Sequence, residues 1–184
     1  MLNLLVLFVH PHLQHSRVNK GLRKAISGLP GIEIHDLYEE YPDFYVDIKR
    51  EQAKLLANDI VVFQHPLYWY SAPALLKEWQ ETVIERGWAH GRGAAALHGK
   101  YWLQAVSMAG TSESYGPQGQ HRFSMTEILR PLEATAHACK MIWLPPFLTY
   151  GTSSMDEAAI AARASNYRQH LTTIQNGEFP TSNP

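Results

Sequence analysis

The sequence predicts one α/β domain in which helices cover both faces of a parallel sheet. Short unbroken apolar runs at 4–9 and 60–63 are typical of strands buried on both faces. Stretches whose apolar residues recur about every 3.6 positions follow these runs. The two patterns alternate five times without an internal repeat or a Ser-rich linker. That alternation favours a doubly wound α/β sandwich.

The pattern places each strand in chain order. The predicted strands are 2–9, 32–37, 60–63, 101–108 and 141–150. The second alternates apolar and polar residues, which predicts a position nearer the sheet edge. The fifth contains Pro145-Pro146, which predicts a bend. Five strands favour the flavodoxin-like arrangement, a three-layer sandwich around a five-stranded parallel sheet.

The helices are predicted from their apolar periodicity and their end signals. They begin near Arg17, Ile48, Ser71, Ser124 and the segment 154–157. Ser71 can cap its helix, and Pro73 suits a first turn. Pro131 is expected to kink or restart the fourth helix. The segment Ser154-Met155-Asp156-Glu157 matches a capping box.

Two stretches between these elements are longer than a simple turn. Residues 38–47 are aromatic and acidic and are expected to form an ordered excursion, and 87–99 form a long connection. The predicted domain spans 1–176, followed by a frayed tail at 177–184.

Composition excludes several classes of protein. With 16 basic and 17 acidic residues the net charge is −1, so the chain carries no electrostatic footprint for nucleic acid. Cys139 is the one cysteine, which excludes an internal disulfide and favours a reducing, cytoplasmic compartment. It is expected to be a small buried hydrophobe. No apolar stretch approaches the roughly 20 residues that span a bilayer, so any association with the inner face of the cell membrane would be peripheral.

Three loops are expected to meet at one edge of the sheet. They are 10–19, 65–71 and 107–121, which follow the first, third and fourth strands. The first ends at a helix N-terminus, where free N–H groups favour a phosphate. The second carries consecutive aromatic residues, and the third contains glycines that allow close backbone approach.

These features suit a phosphorylated planar cofactor. The chain has neither Gly-x-Gly-x-x-Gly after its first strand nor a Walker A lysine motif, which disfavours a Rossmann dinucleotide and ATP. A flavin is therefore the favoured ligand. Ordinary packing of the aromatic residues 68–70 beneath the loop is the alternative that the residues leave open.

Several motifs then resemble a known family over about residues 3–170. They are His10-Pro11, Ser16-Arg17-Val18-Asn19, Asp36-Leu37-Tyr38, Tyr41-Pro42-Asp43-Phe44, Asp47-Ile48, Glu51-Gln52, Gln64 to Trp79 and Trp143-Leu144-Pro145-Pro146. The chain resembles the flavin-dependent NAD(P)H:quinone oxidoreductases, and most closely the KefF/KefG-type ancillary proteins of glutathione-regulated potassium efflux.

The resemblance implies a homodimer that holds FMN or FAD. NADH or NADPH would reduce the flavin and leave, and a quinone-like acceptor would then take the hydride at the same place. By resemblance the phosphate end is held by His10, Ser16, Arg17, Val18 and Asn19. The isoalloxazine is lined by Pro66, Leu67, Tyr68, Trp69 and Tyr70, and its polar edge by Ser107, Met108, Ala109 and Gly110.

The resemblance also implies a catalytic pair, Tyr115 and His121. In the quinone reductases a Tyr and a His at this spacing stabilise negative charge on the reduced flavin, and a hydroxyl and an imidazole can share a proton there. Ordinary loop roles for these two residues remain the alternative.

The chain departs from the family at two places. Ser107-Met108-Ala109-Gly110 replaces the usual Thr-Thr-Gly-Gly, and His90 and Arg92 fall near positions where mammalian-type reductases place aromatic residues against substrate. The altered loop motivates a second hypothesis. The chain would then be a regulatory subunit that activates a glutathione-gated potassium efflux antiporter and has weak reductase activity.

Other conspicuous residues are not expected to bind a metal or to act as catalysts. The spacing of His10, His12 and His15 matches no standard zinc pattern, so no metal site is predicted. His65 is expected to make a local hydrogen bond at a strand end. Trp79 is expected in the core or at a dimer contact.

Overall fold

The computed structural model describes residues 1–179, which form one sheet between two layers of helices. The strands are β1 (Leu4–Phe8), β2 (Ile32–Asp36), β3 (Ile60–Pro66), β4 (Tyr101–Ser107), β5 (Ile142–Trp143) and β6 (Phe147–Thr149). The helices are α1 (Arg17–Ile26), α2 (Leu37–Glu40), α3 (Ile48–Ala57), α4 (Ala74–Val83), α5 (Met125–Ala138) and α6 (Glu157–Gln175).

The order of the strands is β2-β1-β3-β4-β5, and all neighbours are parallel. This order confirms the flavodoxin-like prediction, with β2 at the edge as expected. The direction of the chain across the sheet reverses between β1 and β3, which is the topological switch point. Because the strands are parallel, the loops after β1, β3 and β4 all leave at the same edge.

The predicted fifth strand is two short strands that both pair with β4. β5 lies beside Tyr101 and Trp102, and β6 lies beside the other end of β4, from Ala105 to Ser107. A bend was predicted at Pro145-Pro146, but the strand is divided there. Two consecutive residues without N–H groups interrupt the backbone hydrogen bonds to β4.

Three apolar clusters fill the space between sheet and helices, and the two larger ones lie on opposite faces of the sheet. One cluster joins β1 and β3 to α3, α4 and α5, and includes Leu55, Trp79 and Cys139. The other joins the opposite face of the sheet to α1 and α6, and includes Leu22 and Tyr167. Trp79 is therefore a core residue. Burial raises the pKa of the Cys139 thiol to about 11, which keeps it a neutral hydrophobe.

Two predicted helix caps were wrong, and of the two outcomes predicted at Pro131 the restart does not occur. α4 begins at Ala74 with Pro73 at its N-cap, and Ser71 instead pairs with Tyr68 in a turn. α6 is capped by Asp156, whose side chain accepts from the Ala159 N–H, so the box at 154–157 does not form. α5 does not restart at Pro131, because a proline removes one backbone hydrogen bond while the rest of the helix keeps its own.

The chain after α6 folds back toward the sheet. The ring of Phe179 stacks on that of Tyr101, with centroids 4.1 Å apart and planes at 20°. The remainder of the predicted tail, 180–184, lies outside the described residues.

Glu51 joins three elements of the core although it is a buried carboxylate. It is 0% exposed, and it accepts hydrogen bonds from Trp79 Nε1 at 2.8 Å and Tyr41 Oη at 2.7 Å. His35 Nε2 lies 2.8 Å from its Oε1. Burial alone would raise the pKa of Glu51, but these three partners outweigh burial and lower it below its usual value.

A lowered carboxyl pKa predicts that Glu51 stabilises the fold above its ordinary pKa of about 4.3 and loses that effect as the pH falls through the lowered pKa. Glu51→Gln should therefore flatten the acid dependence of the free energy of unfolding. It should also lower that free energy at neutral pH by about 1–3 kcal/mol, since it leaves a buried donor unpaired. Urea unfolding at several pH values measures both effects.

The control is Glu33→Gln, which breaks an exposed ion pair with Lys54. It should change the free energy of unfolding by less than about 1 kcal/mol. An unchanged acid dependence in Glu51→Gln would contradict this account of the buried carboxylate.

Candidate functional site

A cleft of about 590 Å³ opens at the carboxyl edge of the sheet. The three loops predicted to converge all line it. The predicted residues on its walls are His10, Ser16, Arg17, Val18, Asn19, Pro66, Leu67, Tyr68, Ser107, Met108 and Ala109. The structure therefore gathers most of the predicted cofactor residues into one place.

The N-terminus of α1 forms one end of the cleft. Ser16 caps the helix, and its Oγ accepts from the Asn19 N–H at 3.2 Å. The N–H groups of Arg17 and Val18 have no acceptor within the helix, as is general for a first turn. The Arg17 guanidinium pairs with Glu157 at 2.6 Å, so the anion-binding feature here is the backbone.

Asn19 ties this helix to the loop after β4. Its Nδ2 donates to Ser107 Oγ at 2.9 Å and to Ser16 Oγ at 3.1 Å. The residue is 3% exposed, and its Oδ1 has no hydrogen-bond partner within residues 1–179. An orphaned buried acceptor in a cleft wall indicates a missing donor.

His10 lies at the floor of the cleft and is neutral at physiological pH. Burial, followed by the nearby His12, lowers its pKa below the usual value. Its Nδ1 accepts from the His12 N–H at 3.1 Å, which leaves Nε2 to carry the proton. His10 can therefore donate a hydrogen bond without bringing a charge.

The aromatic loop is a tight turn whose central residues are Trp69 and Tyr70. Tyr68 and Ser71 exchange two backbone hydrogen bonds of 2.9 Å. Trp69 has φ 48° and Tyr70 has φ 60°, as in a type I′ turn, where Asn-Gly is usual. The left-handed region costs roughly 1–2 kcal/mol for each such residue. Trp69 is 93% exposed, so its own packing does not offset that cost.

A second recess of about 230 Å³ adjoins the cleft and shares Leu67, Met108 and Ala109 with it. Its remaining walls are the other predicted site residues, Trp69, Tyr70, Gly110, Tyr115 and His121.

Tyr115 and His121 are brought together in this recess. Their rings stack at 4.5 Å with planes 28° apart. Burial, then the proximity of Tyr150 and Tyr70, raises the pKa of Tyr115, so its hydroxyl stays protonated at neutral pH. Tyr70 Oη lies 3.3 Å from His121 Nδ1.

Gly110 leaves room for this pair. A Cβ at this position would lie 2.7 Å from Ser114 Oγ, 3.0 Å from Tyr115 Cε2 and 3.1 Å from His121 Nε2. Any larger side chain would therefore displace the two rings. Within the segment Ser107 to Gly110, the glycine is therefore the residue that steric contacts explain most clearly.

Four residues of the cleft were not among the predicted site residues: His12, His15, Thr152 and Ser153. The Thr152 N–H donates to the Met108 carbonyl at 3.1 Å, which brings the segment after β6 against the third loop. A threonine or a serine after a strand is too common to indicate a ligand-binding position. A segment that follows a strand at the same sheet edge was the only available indication.

Two other candidates lie away from the cleft. His90 lines a groove between α4 and α5 together with Lys77 and Thr135, and Arg92 is exposed. His65 is 0% exposed, and its Nδ1 lies 2.9 Å from the Pro66 carbonyl, the local hydrogen bond that was expected.

No group of three or more His, Cys, Asp or Glu residues that could hold a metal occurs in residues 1–179. His12 and His15 line the cleft beside His10. Within the same residues, no helix is both long and apolar enough to cross a membrane.

The chain is similar to proteins of two descriptions. An uncharacterized NAD(P)H oxidoreductase, YdeQ of Bacillus subtilis (strain 168), is 44% identical over 171 residues, which cover 93% of this chain and 87% of YdeQ. KefG of Enterobacter sp. (strain 638), a glutathione-regulated potassium-efflux system ancillary protein, is 42% identical over 167 residues, which cover 91% of each.

Solved structures agree with the fold. General stress protein 14 of Treponema denticola, in complex with FMN, has a TM-score of 0.88 at 33% identity and covers 94% of this chain and 99% of its own. An NADPH-quinone reductase from P. pentosaceus has a TM-score of 0.82 at 31% identity and covers 91% of this chain and 96% of its own.

A family model described as a flavodoxin-like fold matches residues 2–171. The match spans all six strands and nearly all of α6, and it includes every loop that lines the cleft. This chain therefore belongs to the flavodoxin-like family that includes the NAD(P)H oxidoreductase YdeQ and the KefG ancillary proteins.

Proposed function

We propose that this chain is a flavin-dependent NAD(P)H oxidoreductase that passes hydride from NADH or NADPH through a bound flavin to a quinone-like acceptor. The observation that carries the proposal is the cleft with its adjoining recess, where the free N–H groups of Arg17 and Val18, an aromatic turn and a glycine-containing loop converge. The relatives named as an NAD(P)H oxidoreductase and a quinone reductase support it.

The cleft residues fit a flavin mononucleotide. The N–H groups of Arg17 and Val18 would hold the phosphate, as a helix N-terminus favours an anion. The unpartnered Oδ1 of Asn19 would accept from a hydroxyl of the ribityl chain. FMN is favoured over FAD by the FMN complex of the Treponema denticola relative.

When bound, a flavin supplies the two-electron chemistry, because its ring accepts a hydride from NAD(P)H and donates it to an acceptor. The chain supplies orientation and charge stabilisation. Leu67, Tyr68, Trp69 and Tyr70 would line the ring, and Ser107 to Gly110 would approach its polar edge. Tyr115 and His121 would donate hydrogen bonds to the negative charge that develops on reduction.

A homodimer is part of the proposal. Trp69, Tyr45 and Phe123 are 93%, 85% and 57% exposed, more than is usual for large aromatic side chains, and a second copy would cover them. The proposed compartment is the cytoplasm, with peripheral association at the inner membrane face where an antiporter is the partner.

A second candidate function is regulation of a potassium efflux antiporter. It is favoured by the 42% identity to KefG over 91% of both chains. The two functions are compatible, since one flavin site can serve a catalytic and a regulatory role.

Titration of the purified protein with FMN, followed by flavin absorbance and fluorescence, should show saturable binding. Riboflavin should bind at least about tenfold more weakly, because it lacks the phosphate and loses charge-assisted hydrogen bonds at α1. FAD is the third ligand in the comparison. Equal affinity for FMN and riboflavin, or no binding of either, would contradict the proposed site.

Trp69→Gly tests the strained turn. Relief of a left-handed aromatic residue should raise the free energy of unfolding of the apoprotein by about 1 kcal/mol. Loss of an aromatic contact should weaken FMN binding about three- to tenfold. The control is Lys140→Gly, at an exposed residue with φ 53° outside the cleft. Lys140→Gly should raise the free energy of unfolding by a similar amount and leave FMN affinity unchanged. A Trp69→Gly protein that binds FMN as tightly as wild type would exclude a contact between Trp69 and the flavin.

A double variant, Tyr115→Phe with His121→Gln, separates the two functions. Quinone reduction should fall about 100-fold, the usual scale for positioned proton donors. FMN affinity is measured alongside to show that the site stays loaded. Persistent efflux activation in cells with the cognate antiporter would establish a regulatory role independent of turnover, whereas joint loss would show that the two roles are one.

A further inference from the structure

Two loops that are far apart in sequence meet at the imidazole of His121. The turn after β3 contributes Tyr70, and the loop after β4 contributes Gly110, Tyr115 and His121 itself. The backbone of His121 is fixed independently, since its N–H donates to the Ser114 carbonyl at 2.9 Å. The ring orientation therefore depends on what surrounds the ring.

Tyr115 and Tyr70 contact the ring in different ways. Tyr115 stacks on its face, a contact that does not distinguish the two ring nitrogens. Tyr70 approaches it edge-on, with centroids 5.7 Å apart and planes at 66°. Tyr70 Oη at 3.3 Å from Nδ1 is the polar contact that distinguishes one nitrogen from the other.

The opposite nitrogen lies beside the backbone of the cleft. His121 Nε2 is 3.1 Å from where a Cβ of Gly110 would lie, and Gly110 is part of the recess wall. The glycine thus lets Nε2 approach the loop that we assign to the polar edge of the flavin.

The hydroxyl of Tyr70 faces Nδ1, where a hydroxyl donates to a bare nitrogen or accepts from a protonated one. A tyrosine O–H that donates to Nδ1 requires that nitrogen to be bare, so the neutral ring carries its proton on Nε2. When the ring is doubly protonated, Nδ1–H donates to the Tyr70 oxygen instead, and Nε2 still keeps its proton. In both states the nitrogen beside Gly110 is a donor.

We propose that Tyr70 is the positioning residue of His121, which holds the imidazole as the Nε2–H tautomer and presents that N–H to the reactive part of the cleft. This role rests on the proposed function and adds to it, because Tyr70 was otherwise only a lining residue. It also gives the left-handed turn at Trp69 and Tyr70 a purpose, since the turn directs the Tyr70 side chain toward the third loop.

The tautomer is measured without flavin by two-bond ¹H–¹⁵N correlation of the histidine rings at about pH 8, where an ordinary imidazole is neutral. His121→Gln identifies the signals of His121. The wild type should show the Nε2–H pattern, and Tyr70→Phe should shift it toward a mixture of tautomers. Tyr115→Phe is the matched control, because it removes a hydroxyl from a stacked ring that does not bond Nδ1, and it should leave the pattern unchanged.

Kinetics of the FMN-loaded protein test the consequence. Tyr70→Phe should lower kcat for quinone reduction about fivefold, as loss of one hydrogen bond predicts, with KM for NAD(P)H changed less than twofold.

The two arms separate the proposal from the function on which it rests. Signals of His121 that are identical in Tyr70→Phe and wild type would overturn the positioning role, whether or not the protein binds flavin. A shifted tautomer in a protein that does not bind flavin would retain the contact and overturn the proposed function instead.

Discussion

The cleft depends on backbone hydrogen bonds that join neighbouring strands at the points where they end. The Val9 N–H donates to the Gln64 carbonyl at 2.9 Å, and the Leu67 N–H donates to the Ser107 carbonyl at 2.8 Å. The Met108 N–H continues the series to the Thr149 carbonyl at 2.9 Å. Each loop therefore begins at a fixed position on the same edge of the sheet. Because the strands are parallel, segments that are far apart in sequence lie side by side and form the walls of the cleft.

The site is built from features that do not help the fold. Trp69 and Tyr70 occupy backbone conformations that disfavour large side chains, and Asn19 keeps a buried acceptor without a partner. The sheet and the buried Glu51 network supply the stability that tolerates these costs. Exceptions to folding rules of this kind are typical of functional sites. Trp69, Tyr70 and Asn19 all line the cleft or the recess that adjoins it.

The fold followed from the sequence because unbroken apolar runs and helical periodicity report burial directly. The interruption of the predicted strand 141–150 did not follow from the sequence. Two consecutive prolines can either bend a strand or divide it, and here β5 and β6 pair with opposite ends of β4. Trp69 and Tyr70 are not residue types that usually occupy a left-handed turn, so only the tertiary structure reveals their conformation. Thr152 and Ser153 reach the cleft by backbone pairing, which no side-chain pattern encodes.

The central claim is that three converging loops hold one flavin by its phosphate and its ring. The most direct measurement is a crystal structure of the protein grown with FMN. The account predicts the phosphate at the N–H groups of Arg17 and Val18, with the ring between the aromatic turn at 67–70 and the loop from Ser107 to Gly110. Flavin density elsewhere on the molecule, or a phosphate turned away from α1, would contradict it.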